Sequence, residues 1–192
     1  MSILKSIYTF TLVFIISFII TACSTKTVKT TEGFEIINLP DNSIIYLNKN
    51  SSIKYNDNFK TREIELSGEA YFDVTSGESP FIIKTPLAEI KVLGTEFNIR
   101  SIGEQLEVEV EKGVVELKAN QETNTLKRGE RALYNKSKNL IQRGKANFKF
   151  KIWMNDLKKE FKSLSKDFAR EGKKAGKEFK KIGKDIKKEI NK

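Results

Sequence analysis

The sequence predicts an all-β domain of short strands, a β-roll or sandwich, followed by a C-terminal amphipathic α-helix. Three observations predict it. Between residues 36 and 134 polar and apolar residues alternate in eleven short runs divided by turn formers, the two-residue period of half-buried strands. A glycine-centred unit recurs in that stretch as LSGEAYFDV (66–74), VLGTEFNIR (92–100), VEKGVVELK (110–118) and LKRGERALY (126–134). Beyond Leu157 the period lengthens, and apolar or small residues return every three or four positions, as on one helix face.

The first element is an address. Residues 1–22 carry Lys5, an apolar stretch from Ile7 to Ile20 and a small-residue end at Thr21-Ala22, which is signal-peptide anatomy. The uncharged run from Ser6 to Ala22 is 17 residues, short of the ~20 that span a bilayer. Ile20-Thr21-Ala22-Cys23 resembles a bacterial lipobox, which implies cleavage before Cys23 and lipidation of its thiol. The competing reading is an uncleaved signal anchor with an incidental cysteine. Residues 23–31 are polar and pattern-poor, so they read as a lipidated tether. Ser24 is not the aspartate that often retains lipoproteins in the inner membrane, so the expected location is the cell envelope, periplasm-facing, with the outer membrane preferred.

The β-domain is expected over residues 32–144. Its runs fall at 36–39, 44–47, 53–55, 62–66, 71–74, 81–83, 89–92, 97–99, 106–110, 114–117 and 126–134. Turn chemistry separates them at Pro40-Asp41-Asn42, Asn48-Lys49-Asn50, Asn56-Asp57-Asn58, Ser76-Gly77 and Ile102-Gly103-Glu104. Gly68, Gly94, Gly113 and Gly129 stand where strands bend or pack closely. Tyr71, Phe72 and Phe97 read as core. Such recurrence suits sharply cornered strands, so a β-roll and a sandwich both stay open.

Composition closes several functional classes. The chain has 192 residues, one cysteine and no histidine. It cannot build an intrachain disulfide, a Ser-His-Asp or Cys-His device, or the usual zinc sites. No phosphate loop or dinucleotide fingerprint is present, and Glu107, Glu109 and Glu111 alternate along one strand instead of facing each other as a hydrolase pair. A non-enzymatic protein without cofactor or metal is expected.

Longer motifs carry a family likeness. LPDNSIIYLNKNSSIKY (39–55), REIELSGEAYFDVTSGESPFIIKT (62–85), VLGTEFNIR (92–100), VEVEKGVVEL (108–117) and LKRGERALY (126–134) together resemble the FecR domain of iron-citrate-type transport regulators. The likeness covers roughly residues 31–142 and rests on Gly68, Glu69, Ala70, Phe72, Val74, Pro80, Phe81, Gly94, Thr95, Phe97, Gly113 and Gly129 as structural positions. It implies a periplasmic protein-binding module of the kind found in anti-sigma or co-sensor proteins. Family members usually carry a cytoplasmic sigma-binding segment and a transmembrane helix ahead of the domain. Here 22 residues precede Cys23, so the role expected to survive is extracytoplasmic binding or scaffolding.

Residues 145–192 read as a basic amphipathic helical tail. From Asn155 to Lys192 there are 14 Lys/Arg against 7 Asp/Glu, so +7 of the formal charge of +10 belongs to the tail. The membrane- or partner-facing stripe comprises Leu157, Phe161, Leu164, Phe168, Phe179, Ile182, Ile186 and Ile190. With Gly172 and Ala175 counted on the same face, the mean step from Leu157 to Ile190 is about 3.67 residues, which disfavours a left-handed coiled coil. KEFKSLSKDFARE (159–171) returns as KEFKKIGKDIKKE (177–189), so both copies face one way. Phe148, Phe150 and Trp153 could wedge the tail against the β-domain or an interface. Three surfaces compete for the helix: anionic lipid, another envelope protein, and the β-domain through the Glu107, Glu109, Glu111 stripe. For the stripe itself a solvated strand face is the favoured reading. The expected partners are the membrane through the lipid anchor and an envelope protein, with no nucleic acid. The alternative function is a lipid-binding effector acting through the tail.

Overall fold

The computed structural model describes the backbone of residues 25–171 and the side chains of residues 25–166. In chain order come β1 (Thr25–Lys29), β2 (Glu35–Asn38), β3 (Ile44–Leu47), β4 (Ser52–Asn56), β5 (Glu63–Asp73), β6 (Phe81–Lys84), β7 (Glu89–Val92), β8 (Glu96–Ile102), β9 (Gln105–Lys112), β10 (Val114–Ala119), β11 (Glu122–Lys127), β12 (Glu130–Asn135), β13 (Leu140–Lys145) and the helix α1 (Lys151–Glu171). The fold is all-β with a C-terminal helix.

One continuous sheet bends into two layers. The first runs β1-β4-β5-β6-β7-β10-β11 and the second β2-β3-β5-β8-β9-β12-β13. Every pairing is antiparallel except β5 with β6. The layers share β5. Its Glu63–Ser67 half pairs with β4 and β6, and its Gly68–Asp73 half pairs with β8 and β3.

The recurring glycine marks the crossings between layers. Gly68 lies inside β5, Gly94 between β7 and β8, Gly113 between β9 and β10, and Gly129 between β11 and β12. Two of these positions show why. Gly68 has φ +98, and a Cβ there would stand 2.7 Å from Ser51 Cα; Gly113 has φ +89, with its Cβ 2.8 Å from the Gly94 carbonyl oxygen. Both combine a left-handed backbone with no room for a side chain.

Alternation along each strand sends one set of side chains between the layers. In β5 that set is Ile64, Leu66, Ala70 and Phe72, which join Ile45, Ile53, Ile83, Ile90, Phe97, Val108, Leu117, Leu126 and Ala132 in a single core. Phe72 and Phe97 are direct cross-strand partners and stack with centroids 5.1 Å apart.

Three expectations need correction. Residues 25–29, read as tether, form β1 on β4. Their TKTVK pattern is almost wholly exposed, so an edge strand held by main-chain hydrogen bonds left no alternation to read. Runs 62–66 and 71–74 are two halves of one bent strand, and run 126–134 is two strands parted at Gly129. β13 went unpredicted because LIQRGK is exposed along nearly its whole length.

Candidate interaction surface

The residues of the second layer that do not enter the core form its outer face. Alternation places Tyr46 of β3, Glu69 and Tyr71 of β5, Asn98 of β8, and Glu107, Glu109 and Glu111 of β9 there. This face is acidic and aromatic. The chain returns to it after β13.

Glu109 makes the return possible. The Ala146 N–H reaches the Gly129 carbonyl at 2.8 Å. The next two amides, of Asn147 and Phe148, donate to Glu109 Oε1 at 2.8 and 3.0 Å. Phe148 has φ +50, an uncommon conformation for a non-glycine residue. α1 follows with no acidic residue in its first turn, where an anion would complement the helix dipole. The sheet supplies one instead, since Glu111 lies 2.6 Å from Lys151 Nζ.

The helix then crosses the face. Phe150, Met154 and Leu157 bury themselves with Tyr46 and Tyr71, and Phe34, Ile36, Ile44, Phe148, Trp153 and Phe161 pack around them. Tyr71 and Phe150 rings stand 5.0 Å apart, and Trp153 stacks on Phe34 at 6.0 Å. Trp153 Nε1 donates to Glu69 Oε1 at 2.9 Å. The same carboxylate accepts from Asn98 at 3.1 Å and Asn48 at 2.9 Å, so Glu69 ties β5, β8, the turn after β3 and the helix together. Asn98 Oδ1 is the buried side-chain polar atom left without a hydrogen bond among the described residues.

Tyr71 is the most perturbed group on this face. Its hydroxyl donates to Glu111 Oε2 at 3.0 Å. Burial first, then the negative charges of Glu111 and Glu96, push the phenol far above its ordinary value. The neutral form is therefore strongly favoured.

These contacts overturn the solvated reading of the stripe. Glu109 is 2% exposed and caps the backbone entry to the helix, while Glu107 pairs with Arg131 at 3.3 Å. The aromatic wedge of Phe148, Phe150 and Trp153 closes on the β-domain as one of its two expectations had it. Within the apolar stripe, Leu157 is buried and Phe161 partly so, whereas Leu164 is 44% exposed. The side chain of Phe168, together with Cys23, Phe179, Ile182, Ile186 and Ile190, lies outside the described residues.

α1 meets the sheet through its first turns, where Lys151 reaches Glu111 on β9 and Trp153 stacks on Phe34 ahead of β2, while Leu164, near the end of the described side chains, is 44% exposed.

Of the family-type positions, Ala70, Phe72, Val74, Phe81 and Phe97 are buried. Thr95 donates its hydroxyl to the Val114 carbonyl at 2.9 Å, and Pro80 is exposed. Arg62, which the sequence reading passed over, closes the loop after β5. It pairs with Asp41 at 2.9 Å, donates to the carbonyls of Ser79 and Thr75 at 2.7 and 2.6 Å, and lies over the Phe81 ring. Away from α1 the outer face stays open, with a groove of about 200 Å³ lined by Arg100, Glu107, Leu133, Leu140 and Gln142. Among the described residues there is no cluster of potential metal ligands and no helix long and apolar enough to cross a membrane.

Residues 26–116 match the family model described as FecR protein. Two crystal structures from Parabacteroides distasonis ATCC 8503, each described as a candidate anti-sigma factor, are similar in fold. At 2.50 Å resolution the first gives a TM-score of 0.61 at 28% identity over 64% of this chain and 60% of that one. The second, at 1.65 Å, gives 0.60 at 28% identity over 62% and 59%. The chain thus spans about 60% of the length of these structures. No curated protein matches it.

Proposed function

With the FecR match across residues 26–116 as its premise, we propose that this protein is a non-enzymatic signalling or scaffold protein of the bacterial envelope, held by lipid at Cys23 and binding another envelope protein. The coarse part, a regulatory role, is supported by the FecR match together with the fold shared with candidate anti-sigma factors. The lipid anchor is supported by the lipobox-like Ile20-Thr21-Ala22-Cys23, and that sequence favours a periplasm-facing, outer-membrane location.

The observation that carries protein binding is the division of the second layer's outer face. α1 occupies its Tyr46 and Tyr71 side, and the Arg100, Leu133, Leu140 groove is left open with mixed polar and apolar character. A photo-crosslinking residue at Leu133, compared with one at the remote exposed Thr123, tests this in cells. An envelope protein captured from position 133 and not from 123 is the expected result; identical patterns from both positions refute the site. Mass spectrometry of the purified chain, beside Cys23→Ala, tests the anchor, and an unmodified Cys23 in the wild type would remove it.

The second reading, a lipid-binding effector acting through the tail, draws on Leu164. It is exposed on the apolar stripe among Lys158, Lys162 and Lys166, the arrangement of a helix lying in an anionic interface.

A further inference from the structure

We propose that the edge formed by β1 and β2 is the side the protein turns to an anionic bilayer, with Lys29 and Lys54 meeting the lipid headgroups. This deepens the envelope reading and rests on the Cys23 anchor for part of its geometry.

The first argument is the length of chain at the anchor. β1 begins at Thr25 and is paired residue by residue with β4 from Thr25↔Asn56 to Lys29↔Ser52. Only Ser24 lies between Cys23 and this strand. One residue spans at most ~3.6 Å, so a lipid on Cys23 brings the β1 edge into the headgroup region. A flexible tether of nine residues would have let the domain turn freely. A single residue does not.

The second argument is where the helix goes. β1 ends the first layer and β2 ends the second, each separated from the shared β5 by one strand. Both are therefore on one side of the molecule. α1 lies on the outer face of the second layer, where Trp153 stacks on Phe34 just ahead of β2, and its apolar stripe becomes exposed at Leu164. From Gly172 onward the sequence carries nine lysines against three acidic residues. That basic run follows α1 directly in sequence.

The third argument is the surface at this edge. On the outer face beside β1 an open groove of about 600 Å³ is lined by Thr27, Lys29, Lys54, Glu65, Lys84 and Pro86. Lys54 pairs loosely with Glu65 at 3.6 Å, and Lys84 with Glu63 at 2.7 Å. Lys29 is exposed and has no ion pair among the described residues. Positive charge beside a membrane anchor is attracted to anionic headgroups within a Debye length.

The test uses the full chain, purified from the envelope and reconstituted into vesicles of phosphatidylglycerol and phosphatidylcholine carrying a spin-labelled lipid quencher. A fluorophore is attached at Thr27→Cys on the β1 edge or at Thr123→Cys on β11, the opposite edge. Quenching at position 27 at least about threefold stronger than at 123 is the expected result. Equal quenching, stronger quenching at 123, or none at either overturns the proposal. Mass spectrometry of the same preparation reports the lipid on Cys23 separately. If Cys23 is unmodified, the label pair in a Cys23→Ser background added to the same vesicles still decides the orientation. In that background Lys29→Glu with Lys54→Glu should weaken binding to anionic vesicles about fivefold per lysine, with no change on phosphatidylcholine alone. An unchanged affinity also overturns the proposal.

Discussion

Glu109 Oε1 accepts the backbone N–H of Phe148 at 3.0 Å, across 39 residues of sequence. With the Asn147 amide on the same oxygen, one buried carboxylate holds the hinge between the β-domain and α1. Hydrogen bonds to a charged acceptor contribute roughly 1.5–3 kcal/mol. Glu109→Ala should therefore cost about 2–3 kcal/mol and detach the helix before the sheet unfolds. Limited trypsin digestion reads this directly, as faster cleavage at Lys149 and Lys151 while residues 25–145 persist. Glu109→Gln keeps an acceptor and should lose less than half as much.

Tyr71 predicts alkaline sensitivity. Its phenol is pushed well up in the folded state by burial and by Glu111, while an unfolded tyrosine ionises near pH ~10. A group whose folded value is raised contributes fully below the unfolded value and loses its contribution as pH climbs beyond it. Stability should hold up to about pH 10 and then fall by up to ~1.4 kcal/mol per pH unit. Tyr71→Phe should cost about 1 kcal/mol at pH 7 for the bond to Glu111 and flatten the slope above pH 10. Urea midpoints from pH 7 to 11 compare the two; equal slopes would reject the assignment.

Gly68 and Gly103 make a matched pair. Both have positive φ, but a Cβ at 68 meets Ser51 Cα at 2.7 Å and one at 103 meets nothing within 4 Å. Gly68→Ala should destabilise by more than ~4 kcal/mol or abolish folding, through backbone strain plus a clash at the crossing between layers. Gly103→Ala should cost about 1–2 kcal/mol, the conformational term alone. Thermal melts of both separate strain from crowding.

Arg62 predicts a difference between lysine and arginine. Its fork satisfies Asp41, Ser79 O and Thr75 O together, which a single ammonium cannot match in geometry. Arg62→Ala should cost about 3 kcal/mol, because it removes the counter-charge of the largely buried Asp41, whose remaining partner is Ser43. Arg62→Lys should recover only part of that loss, and proteolysis within residues 74–80 should report the loosened loop.

Local patterns were readable along the chain because they are local in cause. Alternation at Ile64, Leu66, Ala70 and Phe72 announced a two-faced strand, and the recurrent glycines announced corners. An apolar stripe at helical spacing announced α1 and its wedge of Phe150 and Trp153. The FecR likeness of the glycine-centred units lay in the same residues. β1 and β13 escaped because their pairing uses main-chain groups, which every residue carries, and their side chains face water.

Pairings across the chain had no such signal. That Gly68 bends a single strand shared by two layers depends on Ser51 approaching it, 17 positions away. Glu109 looked like its neighbours Glu107 and Glu111 in an ordinary solvated stripe, and became a buried cap because the chain turns back at Gly129 and Ala146. Charge and period along a strand state which side chains share a face; what covers that face depends on where distant segments return.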